Sequence, residues 1–243
     1  MKTNCCELSL SFLLAFAIIT NALLGAAAAS DAVLNLSGEQ MQVTDYYYIE
    51  WPLFRPTTGA TLFRAGNETC PLDVAPVPLN GIPARISPVN SDDGVIREST
   101  DLNIKFVFVP PCAQSAVWKV QYDEESEEYF VRVGGVEGNP GCDTITNWFK
   151  IEKLGDYYKL VFCSSVCNNH YCNVICKDVG LDSEGRFVLS EKPYQVGFRK
   201  FEFLKSKISY QWFLTLVNES WLDTSLVPWS SYHVLSKKGW KHK

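Results

Sequence analysis

Histidine is nearly missing from this chain. Its 243 residues include three, and His170 stands alone between residues 30 and 203. A Ser-His-Asp or Cys-His nucleophilic centre needs histidine as its base. Here the one candidate lies in "CSSVCNNHYCNVIC", a cysteine-dense loop, where it reads as a loop residue. The body of the chain lacks basic clusters as well. Residues 30–203 hold 15 Lys and Arg against 24 Asp and Glu, a net of −9 within a whole-chain charge of −5. Nucleic acid is gripped through clustered Lys and Arg, so this acidic body excludes it as a partner. No Gly-rich loop follows a strand and opens a helix, which removes the usual phosphate cradle. No cofactor and no metal are expected. From 31 to 203 no apolar stripe recurs every 3.6 residues, which argues against a helical body.

Long apolar runs are confined to the start. "MKTNCCELSLSFLLAFAIITNALLGAAAAS" carries an early lysine, an apolar stretch from Leu8 to Ile19 and a small-residue run ending at Ala29. That layout predicts a secretory signal peptide over 1–29, and a destination outside the cell or in the vacuole. A later stretch, Ile208–Val217, is too short to span a bilayer, so no membrane partner is expected. Residues 204–243, with six lysines against Glu219 and Asp223, read as a C-terminal extension beyond the folded domain of 30–203.

What the chain does contain is strand signal. "DYYYIEW", "ATLFRAG", "IPARIS", "LNIKFVFV", "AVWKVQY", "EYFVRVGG", "NWFKIEK", "YYKLVFC", "GRFVLSE" and "YQVGFRK" are rich in Val, Ile, Tyr, Phe and Trp. "GNETCP", "EGNPGCD", "LGD" and "DSEG" separate them as turns. Many alternate apolar and polar residues, as half-buried antiparallel strands do. About twelve such strands predict an all-β barrel or sandwich. The likeness of "VWKV" to "WFKI" hints at internal symmetry. The carboxylate run "YDEESEEYF" reads as a solvated hairpin turn rather than a catalytic pair.

Cysteine is plentiful beyond the leader: Cys70, Cys112, Cys142, Cys163, Cys167, Cys172 and Cys176. In a secreted chain these predict disulfides with one sulfur left over. The most economical staples join Cys70 to Cys112, and Cys163 to Cys176 around Cys167 and Cys172. Six cysteines nevertheless allow fifteen pairings. Cys142 is then left unpaired, either as a free thiol or as a disulfide bridge to a second copy. Sequons at Asn35, Asn67 and Asn218 are candidate glycosylation sites.

Ordered blocks along 32–203 carry a resemblance. "VLNLSGEQMQVTDYYYI", "GNETCPL", "VIRESTDLNIKF", "SAVWKV", "GGVEGNPG", "NWFKIEK", "YKLVFCSSVC" and "CKDVG" resemble the plant Kunitz-type soybean trypsin inhibitor family, and within it the miraculin-like branch. The resemblance implies a β-trefoil of twelve strands in three similar units, six forming a barrel and six capping it. It implies the bridges Cys70–Cys112, Cys163–Cys176 and Cys167–Cys172, with Cys142 outside that pattern. It also implies a protein that is no enzyme but holds out a rigid loop to a protease, of the serine class first and the cysteine class second.

Trypsin inhibitors of this type read Ser-Pro-x-Arg/Lys in that loop. The matching residues here are Ser87, Pro88, Val89 and Asn90, followed by Ser91, with Asn90 in the specificity-determining place. Asn90 forfeits the charge pairing that a trypsin pocket rewards, and Asp92 and Asp93 follow it. Val43 stands where active members keep a loop-bracing asparagine. Arg85-Ile86 looks scissile but precedes Ser-Pro in a predicted strand. The expectation is therefore a poor trypsin inhibitor with altered protease specificity, serving in defence. The alternative is a non-inhibitory trefoil in storage, defence, or ligand or carbohydrate binding.

Overall fold

Period-two alternation becomes twelve strands among the described residues of a computed structural model. The structure describes residues 30–202 except 54–57, 67, 71, 79–80, 91, 168–171 and 173. The expected leader, the 204–243 extension, Asn67, Ser91, His170 and Asn218 lie outside the described residues. The compact unit that carries the strands ends at Phe201.

Three units follow one another. The first holds β1 (Tyr46–Trp51), β2 (Thr58–Phe63), β3 (Asp73–Val77) and β4 (Ala84–Pro88). The second holds β5 (Leu102–Phe106), β6 (Trp118–Asp123), β7 (Glu128–Val133) and β8 (Lys150–Leu154), with a 3-10 turn at Cys142–Asn147 before β8. The third holds β9 (Tyr157–Phe162), β10 (Lys177–Leu181), β11 (Phe187–Ser190) and β12 (Gln195–Lys200).

The ladders repeat with the units. β1 pairs with β4, and β9 with β12. The corresponding contact in the second unit is the bridge between Leu102 and Phe149. β4–β5, β8–β9 and β12–β1 join one unit to the next. Together these six strands close a barrel. The hairpins β2–β3, β6–β7 and β10–β11 form the cap, and β7 links its members by pairing with β3 and β11. Hydrogen bonding also closes an eight-strand circuit through the cap. This is a β-trefoil, with barrel and cap arranged around a pseudo-threefold axis.

Inward-facing residues of each strand meet at one core. Trp118 is fully buried, with ring centroids 5.1 Å from Phe106, 6.3 Å from Phe149 and 6.1 Å from Phe187. Two of these phenylalanines come from the same unit as the tryptophan and one from the third. Edge-on packing suits the ring quadrupoles, and each fully buried large side chain stabilises the fold by roughly 1.5–3 kcal/mol. In β1 Tyr47 and Ile49 turn inward, while Tyr46 and Tyr48 stay half-exposed.

One polar cluster lies under the cap. The fully buried Asp73 of β3 meets Arg132 Nε of β7 at 2.5 Å and Arg186 Nη1, just before β11, at 3.3 Å. Each hairpin region thus supplies one member. Arg186 also bonds Asp182 and lies 4.2 Å over the Phe130 ring. Charges removed from water persist only when paired in this way.

Candidate reactive loop

The loop that follows β4 has two limbs, and they are held differently. The first is locked into the barrel. Ser87 and Pro88 are the last residues of β4, laddered to Asn103 and Leu102 of β5. Val89 donates its amide to the Asp101 carbonyl at 2.8 Å. Ser87 Oγ donates to Glu137 Oε1 at 3.1 Å, and Lys105 Nζ bonds Glu137 Oε2 at 2.8 Å. The Lys105 hydrogen bond holds the Glu137 carboxyl below its ordinary range, ahead of the opposing effect of partial burial.

A buried amide network stands behind that contact. Asn103 is 1% exposed; its Nδ2 donates to the Asn147 carbonyl at 2.8 Å and its Oδ1 accepts the Gly138 amide at 2.7 Å. Asn147 Nδ2 reaches the Val136 carbonyl at 3.2 Å. Asp101 spends its carboxylate on Ser165, accepting from the amide at 3.1 Å and from Oγ at 2.7 Å. Segments 136–138 and 165 therefore back the first limb, although neither is near it in sequence.

Asn90 projects beyond this anchorage and is exposed. The second limb, Asp92 to Gly94, turns back through Gly94, whose φ of 72° falls in the left-handed region that glycine adopts without cost. It is tied by Val43, which donates its amide to the Gly94 carbonyl at 2.9 Å, and by Asp93, which pairs with Arg97. The Arg97 hydrogen bond lowers the Asp93 pKa. Val43 contributes only its backbone here, since its side chain packs against the core cluster. Between the limbs lies a hollow of about 320 Å³, lined by Pro88, Asn90, Asp92, Asp93, Val95, Arg97 and Thr100. Arg85 lies inside β4, paired with Tyr46 and Lys105, so its bond to Ile86 belongs to the ladder.

The remaining predicted sites divide. Cys70 and Cys112 form a disulfide with Cα atoms 5.9 Å apart, and Cys163 and Cys176 form another at 4.3 Å. Cys142 does not stand apart. Its sulfur meets those of Cys167 and Cys172, all within 4.8 Å of one another, because the 3-10 turn before β8 packs beside the loop after β9. Sequence spacing gave no sign of this. Asn35, a candidate glycan acceptor, sits in a turn. It is 6% exposed, with Nδ2 donating to Glu39 at 3.0 Å and Oδ1 accepting the Ser37 and Glu39 amides. Its short polar side chain builds the turn through Oδ1. The acidic run joins β6 to β7 through a turn at 124–127, with Asp123 accepting from the Glu125 and Ser126 amides. Glu137, Asn103 and Asp101 were missed as loop supports; Glu137 lies in "EGNPGCD", which reads as a turn, and in "GGVEGNPG", which carries only the family resemblance.

Known proteins resemble this chain in sequence and fold. The legume Kunitz family, described as trypsin and protease inhibitor, matches residues 33–200. Miraculin from Synsepalum dulcificum is 41% identical over 213 residues, covering 79% of this chain and 96% of miraculin. Kunitz trypsin inhibitor 5 from Arabidopsis thaliana is 36% identical over 197 residues, covering 78% of this chain and 95% of the relative. The solved structure of a Kunitz-type cysteine protease inhibitor from potato superposes with a TM-score of 0.62 at 32% identity, covering 72% of this chain and all of the other. Family match and trefoil agree: this chain belongs to the Kunitz-type trypsin and protease inhibitor family, in its miraculin-like branch.

Proposed function

We propose that this protein presents the loop around Asn90 to a protease as a substrate-like segment, engages trypsin poorly, and serves in defence against foreign proteases. The observation that carries this reading is the exposed Asn90 immediately after a limb fixed by β4, Asp101 and Glu137. Ordering that limb within the fold lowers the entropy lost on binding, so a small contact area is able to hold a protease. Asn90 offers no positive charge to a trypsin-like pocket, and the Asp92 and Asp93 carboxylates beyond it disfavour an acidic one. A protease with a neutral pocket fits better, of the serine class first and the cysteine class second. Passage through the secretory pathway to the extracellular space or vacuole accords with the leader-like start of the chain and its disulfides.

A second reading rests on the hollow between the limbs. With Val43 contributing no side-chain donor, the returning limb is weakly held, which favours a non-inhibitory trefoil acting in storage, defence or ligand binding. A panel of serine and cysteine proteases separates the two. Inhibition of at least one serine protease by micromolar protein is the expected result. No inhibition of any member would overturn the first reading and leave the second.

A further inference from the structure

Two disulfides use four of the seven cysteines beyond the leader, and the other three converge. Cys142 is exposed at the start of the 3-10 turn, while Cys167 and Cys172 are half-buried in the loop after β9. Cα separations are 5.2 Å for Cys142 and Cys167, 6.0 Å for Cys142 and Cys172, and 6.4 Å for Cys167 and Cys172. All three fall within the span a disulfide bridges. A sulfur forms one disulfide bond at a time, so one pair is joined while the third sulfur lies against it. Thiol–disulfide exchange requires such a contact, and the thiolate is the attacking species.

We propose that Cys142, Cys167 and Cys172 form an internal exchange site in which the bond moves between Cys167–Cys172 and Cys142–Cys167. The Cys142 thiolate attacks Cys167 Sγ. The new S–S bond forms as the Cys167–Cys172 bond breaks, and its electron pair leaves on Cys172 Sγ, which takes the proton that Cys142 gave up. Nothing is oxidised or reduced overall, and Cys167 stays bonded throughout. The two states differ in the segment they close, with sequence separations of 5 and 25. The longer closure restricts the unfolded chain more, which opposes the local convenience of the shorter one.

The site reaches the candidate loop by two arms. One runs from the Cys163–Cys167 segment through Ser165 to Asp101, whose carbonyl holds the Val89 amide. The other runs from Cys142 back to Gly138 and Glu137, which bond Asn103 and Ser87. The Cys142–Cys167 state ties these arms covalently, and the Cys167–Cys172 state leaves them joined by packing alone. The exchange itself does not depend on which protease, if any, the loop binds.

The full-length protein, acid-quenched, alkylated and digested without reduction, tests this by mass spectrometry. Monomer should yield both cross-linked peptides, with the alkyl label divided between Cys142 and Cys172. A small thiol catalyst should bring the mixture to the same ratio from any starting proportion. Cys142→Ser should leave only Cys167–Cys172, and Cys172→Ser should form Cys142–Cys167 in the monomer. One pairing alone in the wild type with the third sulfur fully labelled would overturn the proposal. So would Cys142 bonded to a second copy, or three labelled thiols with zinc retained in the native mass. Hydrogen exchange reads the coupling: the Gly138 amide should exchange more slowly in Cys172→Ser than in Cys142→Ser, and equal rates sink the link to the loop.

Discussion

Asp73 and Asp93 each meet an arginine, and the two pairs have opposite weight. Asp73 is fully buried between Arg132 and Arg186. Asp93 is 47% exposed and Arg97 33% exposed. Breaking a buried pair strands charge in a medium that cannot solvate it. Breaking an exposed pair hands both groups back to water. The same side-chain chemistry therefore fixes the cap and only trims the loop. Between these extremes stands Glu137, partly exposed, bonded to Lys105 and bracing Ser87. The loop is consequently stiff as it leaves β4 and compliant as it returns, and a protease would meet a surface held on one side.

Asp73→Asn should break the comparison at its strong end. A loss of about 3 kcal/mol is expected because Arg132 and Arg186 lose their shared buried partner, keeping Glu68 and Asp182, seen in calorimetry as a melting shift of roughly 10 °C. A shift no larger than that of the exposed pair would remove the distinction.

Next in size, Val43→Asn combined with Asn90→Arg supplies a charged tip and a donor beneath it. Trypsin binding should rise on the order of a hundredfold or more over the wild type, a gain of about 3 kcal/mol. No gain would mean that Asn90 is not the contact residue.

Glu137→Ala should cost about 1 kcal/mol, since the Lys105 pair is partly exposed and screened, and should speed proteolytic nicking near Ser87. The same bond predicts a pH dependence. Because Lys105 depresses the folded pKa of Glu137 below its ordinary value of 4.5, its contribution is fully present above that value. It is lost as pH falls through the folded pKa. Denaturant melts from pH 7 down to 3 should show this loss in the wild type and not in Glu137→Ala.

The smallest effect belongs to Arg97→Ala. No resolvable change in melting is expected, but NMR titration should return the Asp93 carboxyl from its lowered pKa to the ordinary range. An unchanged Asp93 titration would assign the shift to backbone donors instead.

Much of the fold was legible because strand alternation and turn residues are local signals. "LNIKF" and "YYKLVF" placed β5 and β9, and the run of family blocks carried the trefoil. Asn90 and Val43 were legible only through the resemblance. The supports of the loop were not legible at all. Ser87 meets Glu137 fifty residues away, and Asn103 meets Gly138 thirty-five residues away; period two tells which face a residue occupies, not what lies opposite once the barrel closes. Cys142 escaped for the same reason. The burial of Asn35 was not legible either, since a three-residue sequon carries no information about burial.

β1 and β12 lie side by side, with Tyr47, Tyr48, Ile49 and Glu50 laddered to Lys200, Arg199, Phe198 and Gly197. During synthesis the earliest barrel strand therefore waits for the latest. Until residue 200 has left the ribosome, two unpaired edges face the solvent, and any chaperone or stray strand that meets the nascent chain will find them there.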